Sequence, residues 1–381
     1  MERIYLDNAA TTALDPEVLD AMLPLMRDDF GNPSSTHHFG RKTRSAIETA
    51  RKTIANLLNA SPGEIIFTSG GTEADNTAII RSVIDLGVRH IVSSPLEHHA
   101  VLHTIEEAEK QYGVRVTWLD ANSNGHLDLT QIEQSLKTND KTLVSLMHAN
   151  NEIGNLLPIQ KVADMCKANN ALFHSDTVQT MGHYSIDTKM IAADFLACGA
   201  HKFHGPKGAG FLFKRENLKT HPFIQGGAQE RGYRGGTENL YGIIGLAKAF
   251  EIAHRDMQKH REHVSGLKKR MIERFKSEIP GVSFNGDAEG ESLYTVLNVS
   301  FPASDNGEML LFSLDIAGIA ASGGSACSSG SNKGSHVLGA LNVDPKRTNV
   351  RFSFSKYTST SDIDKAVDAV KRLIGQSLVH S

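Results

Sequence analysis

The 381-residue sequence predicts an α/β protein in which a mostly parallel sheet is flanked by helices and a smaller α+β domain lies beside it. Three observations lead there. Short β-rich runs alternate with longer helical patterns through the first half of the chain. The length exceeds what one hydrophobic core usually fills. The texture also changes after a long polar helical pattern over 240–276.

In chain order, strands are expected at 64–68, 90–93, 114–119, 142–147, 171–175 and 194–198, each a short apolar run. Helices fill the gaps at 72–86, 100–112 and 159–169, the spacing that parallel strands with covering crossovers require. After the 240–276 helix come a strand at 294–301, a helix near 308–314, a strand at 350–354 and a closing helix from Ser361. A boundary falls near 256–263. The large domain is therefore expected at 15–258, and the small one at 1–14 and 259–381, carrying a mobile cysteine loop at 322–334.

Composition narrows the class. Lys plus Arg total 40 against 43 for Asp plus Glu, a formal charge of -3, which offers no broad positive field to a nucleic-acid backbone. The N-terminus lacks the apolar core of a signal peptide, and no apolar stretch approaches the roughly 18 residues a membrane span needs, so a soluble cytoplasmic protein is expected. Three cysteines, odd in number and far apart, argue against a disulfide framework. Cys166 falls in a helical pattern and Cys198 in an apolar strand, as packed structural cysteines do.

Four segments carry chemistry. In Ser322-Gly323-Gly324-Ser325-Ala326-Cys327-Ser328-Ser329-Gly330-Ser331, eight of ten residues are Gly or Ser, so Cys327 has no neighbours large enough to bury it. It is either a cysteine in a flexible linker or a thiol kept for its reactivity. Thr68-Ser69-Gly70-Gly71-Thr72-Glu73-Ala74-Asp75-Asn76 leaves a strand and opens a helix. Free amides, the helix dipole and the Thr72 hydroxyl suit a phosphate there, although an ordinary turn with Thr72 as N-cap also fits. In Gly199-Ala200-His201-Lys202-Phe203-His204-Gly205-Pro206-Lys207-Gly208, Lys202 follows an apolar strand and is crowded by histidines, which suits a Schiff-base lysine, whereas Lys207 lies in a glycine-rich turn. Asp176, in Ser175-Asp176-Thr177-Val178-Gln179, ends another strand. It could pair with a pyridine nitrogen or serve only as a strand-end cap.

Together these segments resemble the cysteine desulfurases of the NifS/IscS type, pyridoxal-phosphate enzymes of the class V aminotransferase family with the aspartate-aminotransferase-like fold. The resemblance spans nearly the whole chain. It runs from Tyr5-Leu6-Asp7-Asn8-Ala9-Ala10-Thr11-Thr12 through Gly31-Asn32-Pro33, Glu97-His98 and Asn150-Asn151-Glu152 to Arg234-Gly235-Gly236-Thr237-Glu238-Asn239 and Val350-Arg351-Phe352-Ser353.

The resemblance implies roles. Lys202 anchors the cofactor and moves the substrate's Cα proton; Asp176 pairs with the ring nitrogen; Gln179 contacts the phenolic oxygen; His98 stacks on the ring and transfers protons. Gly71, Thr72 and His201 bind the phosphate, with Thr237 reaching over from a second subunit, which implies a homodimer. Asn151 and Arg351 hold the substrate carboxylate, and a guanidinium fork suits that task. Cys327 receives the sulfur of L-cysteine as a persulfide, leaving L-alanine, and passes it to an acceptor for iron–sulfur cluster, thio-cofactor or tRNA synthesis. No metal is expected, because the His99/His103 pair lacks a third ligand. Selenocysteine lyase and aminotransferase activity on the same fold, or a degenerate cofactor-binding interaction protein, are the alternatives.

Two positions depart from the family. Gly199 stands where a serine usually adds a phosphate hydrogen bond, an expected loss of about 1 to 2 kcal/mol in cofactor binding. The chain also lacks the longer tail that housekeeping members use to dock an iron–sulfur scaffold, so that partnership stays open.

Overall fold

A computed structural model describes residues 3–303, 307–323 and 334–378. The strands in chain order are β1 (Ile4–Tyr5), β2 (Ile65–Thr68), β3 (His90–Ser93), β4 (Arg115–Trp118), β5 (Thr142–Ser145), β6 (Leu172–Asp176), β7 (Phe195–Gly199), β8 (Gly210–Lys214), β9 (Ser283–Asn285), β10 (Val296–Phe301), β11 (Ile319–Ala320) and β12 (Thr348–Ser353). The helices used below are α1 (Pro16–Asp28), α2 (His38–Leu57), α3 (Gly71–Ile84), α4 (His99–Tyr112), α5 (Thr130–Ser135), α6 (Ile159–Ala168), α7 (Leu240–Arg255), α8 (Met257–Glu278), α9 (Leu310–Ile316), α10 (His336–Ala340) and α11 (Thr360–Leu378).

Seven strands form the large sheet in the order β2-β8-β7-β6-β5-β3-β4, and only β8 runs against its neighbours. Every residue of β2, β3 and β5 to β8 is buried, whereas the edge strand β4 exposes Arg115 and Trp118. Continuous burial is what a sheet covered on both faces demands. The six strands expected from the sequence are all present, and the fold is the expected mostly parallel sheet flanked by helices.

Three features extend or correct the sequence reading. The first is β8, a fully buried strand built on Phe211-Leu212-Phe213, where the sequence suggested only the end of a glycine-rich turn. The second is the pair α1 and α2, which pack on α7 and close one face. The third is the expected helix over 240–276, which is two helices broken at Asp256 (φ −108°, ψ 11°). Each half serves a different core, and this explains the break. Residues such as Ile243, Leu246 and Phe250 on α7 join the large-sheet cluster, and Val264, Leu267, Met271 and Phe275 on α8 join the second cluster.

That second cluster also takes in Ile4 and Leu6 from the N-terminus. It lies over an antiparallel sheet in the order β12-β10-β9, packed by α8 and α11. The parallel pair β1 and β11 (Ile4↔Ile319, Tyr5↔Ala320) ties the first residues to the segment that leads toward Cys327. This pairing carries residues 7–10 to the mouth of the large sheet.

Candidate active site

The ends of the parallel strands converge on one cleft of about 840 Å³, lined by Gly71 and Thr72 after β2, His98 after β3, Asn151 after β5, Asp176 and Gln179 after β6, and His201 and Lys202 after β7, with Arg351 arriving from β12. An open α/β sheet places ligands at this edge. Nine of the expected site residues therefore share one cleft. Thr237 does not: it is exposed in the loop before α7, outside this cleft. Cys327 lies outside the described residues.

Lys202 closes a short 3-10 turn, Ala200–Lys202, directly after β7. Its Nζ donates to the carbonyls of Ala9 at 2.6 Å and Ala10 at 2.9 Å, so the N-terminal segment is what aims the amine. Gln179 Nε2 donates to the same Ala9 carbonyl at 3.2 Å. Beneath them, Asp176 Oδ1 accepts from Val178 N at 2.9 Å. Burial pushes the Asp176 carboxyl up to about 6, only partly opposed by that amide and by Lys202. Burial, reinforced by Asp176 and Glu97, raises Asp75 well above the carboxylate range.

His98 caps α4, its Nδ1 accepting from Ala100 N at 3.1 Å. That bond assigns the ring proton to Nε2. Burial, then the charge of Lys202, lowers its pKa to about 4, so the ring is neutral at pH 7. His201 is lowered to about 4 by the same two effects and Lys207, and its Nδ1 lies 3.1 Å from Thr11 Oγ1. Arg351, 1% exposed, donates from Nη1 to the Asn151 carbonyl at 3.0 Å and pairs through Nη2 with Asp7 at 2.9 Å.

These residues fit pyridoxal phosphate. The turn into α3 has Gly70 at φ 155°, ψ −174°, a region only glycine enters readily. The helix has no side-chain cap, so its first amides and the Thr72 hydroxyl are available to an anion. Asp176 is a buried carboxylate whose charged form gains from a cationic ring nitrogen. A Cβ placed on Gly199 would lie 3.5 Å from Gly71 N and 3.6 Å from His201 Cδ2, ordinary contacts, so the missing serine is not excluded by space.

Among the described residues, no group of three or more His, Cys, Asp or Glu is arranged to hold a metal, although the rings of His99 and His103 stack with centroids 5.0 Å apart. Cys166 and Cys198 are buried, and burial raises both thiols well above their ordinary range. Sequence reasoning attached no role to Asp7, Ala9, Ala10 or Asp75. Their signals are weak: a carboxylate and two carbonyls nearly 200 to 344 residues from their partners, and one acid inside a helix.

Residues 4–366 match the family described as Aminotransferase class-V. The chain is similar to "Cysteine desulfurase IscS" of Dictyoglomus turgidum, 44% identical over 375 residues, covering 97% of this chain and 94% of that protein. It is 42% identical over 383 residues to "Putative cysteine desulfurase IscS 1" of Bacillus subtilis, covering 98% of this chain and all (100%) of that one. Among solved structures, a "NIFS-LIKE PROTEIN" superimposes with a TM-score of 0.90 at 34% identity, covering 98% of this chain and 100% of that chain. A NifS-like protein from Rickettsia africae gives a TM-score of 0.88 at 30% identity, covering 98% and 99%.

Proposed function

Because this chain belongs to the class-V aminotransferase family, we propose that it is a pyridoxal-phosphate-dependent cysteine desulfurase that converts L-cysteine to L-alanine and passes the sulfur to an acceptor. The observation that carries this reading is the meeting of an aimed lysine, a buried carboxylate and a buried arginine in one cleft. When bound, the cofactor supplies an electron sink that acidifies the substrate's Cα–H and weakens its carbon–sulfur bond.

The residues divide the work. Gly71, Thr72 and His201 hold the phosphate, joined by Thr237 of a second subunit in a homodimer. Asp176 would keep the ring nitrogen protonated, Gln179 would donate to the cofactor's phenolic oxygen, and neutral His98 would offer its Nε2–H as a donor. Lys202 would anchor the cofactor, and its amine would take the substrate's Cα proton. Arg351 and Asn151 fix the substrate carboxylate, which leaves the thiol as the group free to meet Cys327. The Cys327 thiolate attacks the substrate sulfur, so a sulfur–sulfur bond forms as the carbon–sulfur bond breaks, and the alanine carbon takes up a proton.

The acceptor is a protein thiol or scaffold serving iron–sulfur or thio-cofactor synthesis, and the location is cytoplasmic. Among the described residues no helix is long and apolar enough to cross a membrane. The test is incubation of the holoenzyme with L-cysteine and a thiol reductant. Alanine and sulfide should appear in equal amounts, and Cys327→Ala should abolish the sulfide. Alanine without sulfide, or amino transfer to pyruvate, would overturn the reading.

A further inference from the structure

Arg351 is already engaged before any substrate arrives. Its guanidinium, 1% exposed, pairs with Asp7 at 2.9 Å through Nη2 and donates to the Asn151 carbonyl at 3.0 Å through Nη1, while Nε is buried without a hydrogen bond. Asp7 is held as firmly. Leu6 N donates to the Ala320 carbonyl at 2.9 Å, Ser353 N donates to the Leu6 carbonyl at 2.8 Å, and Asp7 itself bridges to Ser353. The carboxylate thus projects from a junction of β1, β11 and β12 rather than from a loose tail.

We propose that Asp7 is a positioning and specificity-determining residue, which orients Arg351 and, as a fixed negative charge, limits how tightly the site holds an amino-acid carboxylate. The proposal rests on the reading that Arg351 receives that carboxylate. Two effects of opposite sign follow. The ion pair holds the fork in place, since a buried guanidinium with no counter-charge would shift toward any carbonyl in reach. The same pair is neutral overall, so an arriving carboxylate meets both the attraction of Arg351 and the repulsion of Asp7 on one guanidinium. A site built this way recognises the carboxylate by shape and releases alanine readily.

The two effects separate in two variants of the holoenzyme. Asp7→Asn keeps an oxygen that can accept from Nη2 and removes the charge. Asp7→Ala removes both. The affinity for L-alanine, read from the change in cofactor absorbance, should rise about tenfold in Asp7→Asn and fall about tenfold in Asp7→Ala. Cysteamine, which lacks a carboxylate, should bind both variants as it binds the parent. Thermal unfolding gives a second readout: Asp7→Asn, with a buried cation left unbalanced, should be less stable than the parent and should gain more from added alanine.

If both variants weaken alanine equally, or if cysteamine weakens with it, Asp7 is only a structural residue and the proposal fails. Arg351→Gln separates this failure from that of the underlying reading. Loss of the preference for alanine over cysteamine in Arg351→Gln, with both Asp7 variants moving together, overturns the proposal alone. A preference left intact in Arg351→Gln overturns the carboxylate reading and the proposal with it.

Discussion

Replacing Asp176 by Asn should stabilise the protein stripped of its cofactor while removing its activity. The Asp176 carboxyl is raised from 3.8 to about 6 by burial, so in the folded apoprotein it ionises at a higher pH than in the unfolded chain. The folded state therefore binds the extra proton between these values, and stability falls as pH rises through them. The full loss is about 3 kcal/mol by pH 8 and about half of that at pH 5, because a tenfold change in proton affinity is worth about 1.4 kcal/mol. Asn cannot ionise, and its oxygen can still accept from Val178 N. It also relieves Asp75, whose own carboxyl is raised partly by Asp176. Urea unfolding of the two apoproteins at pH 5 and pH 8 measures the difference directly. The variant should be the more stable by about 3 kcal/mol at pH 8, with the gap narrowing toward pH 5. A variant no more stable than its parent at pH 8, or a gap independent of pH, would refute the reasoning. In the holoenzyme the order should reverse, because the cofactor's ring nitrogen then balances the charge.

Glu230→Gln should cost about 3 kcal/mol in urea unfolding, because it removes the buried carboxylate that holds both terminal Arg51 nitrogens at 2.8 Å and leaves only Glu48, 36% exposed and 3.0 Å from Nε, to balance the guanidinium. An effect under about 1 kcal/mol would mean the pair is more hydrated than its burial indicates. Gly199→Ser should tighten cofactor binding by about 1 to 2 kcal/mol, read as the dissociation constant of the apoprotein. An unchanged or weaker constant would show that the vacant hydrogen bond is already supplied. His98 should stay neutral from pH 5.5 to 8.5, since burial disfavours its charged form and lowers its pKa to about 4. A ring signal in NMR that titrates near 6.5 would contradict this.

Apart from β4, the parallel strands were readable because they are buried on both faces, which forces an uninterrupted apolar run such as Ile65-Ile66-Phe67 or Phe195-Leu196-Ala197. The site residues on their ends were readable for a related reason: Thr72, Asp176 and Lys202 each stand at a fixed distance from such a run. What stayed hidden depends on pairing across long separations. β8 is as apolar as its neighbours, but its antiparallel place between β2 and β7 is a property of the sheet and not of Phe211-Leu212-Phe213. The break at Asp256 likewise interrupts a helical pattern that reads as continuous over 240–276, because its two halves serve different cores. Asp7 and Arg351 are 344 residues apart, and they meet through the β1–β11 pairing and the bridge from Asp7 to Ser353 on β12.

The position of β8 also bears on when the cleft can exist. Within the large sheet β2 pairs only with β8, and the turn that leaves β2 toward Gly71 and Thr72 is packed against Gly210, whose Cα has no room for a side chain beside Gly70 and the Cys198 carbonyl. On a ribosome, β2 emerges about 150 residues before its partner, at a sequence separation that makes pairing slow. The turn that leaves β2 thus lacks its supporting strand until Lys214 has been made, and Arg351 is later still. Under the proposed roles, the anion cradle and the anchoring lysine would therefore come together as one unit when β8 is added, and Arg351 would join them more than 130 residues later.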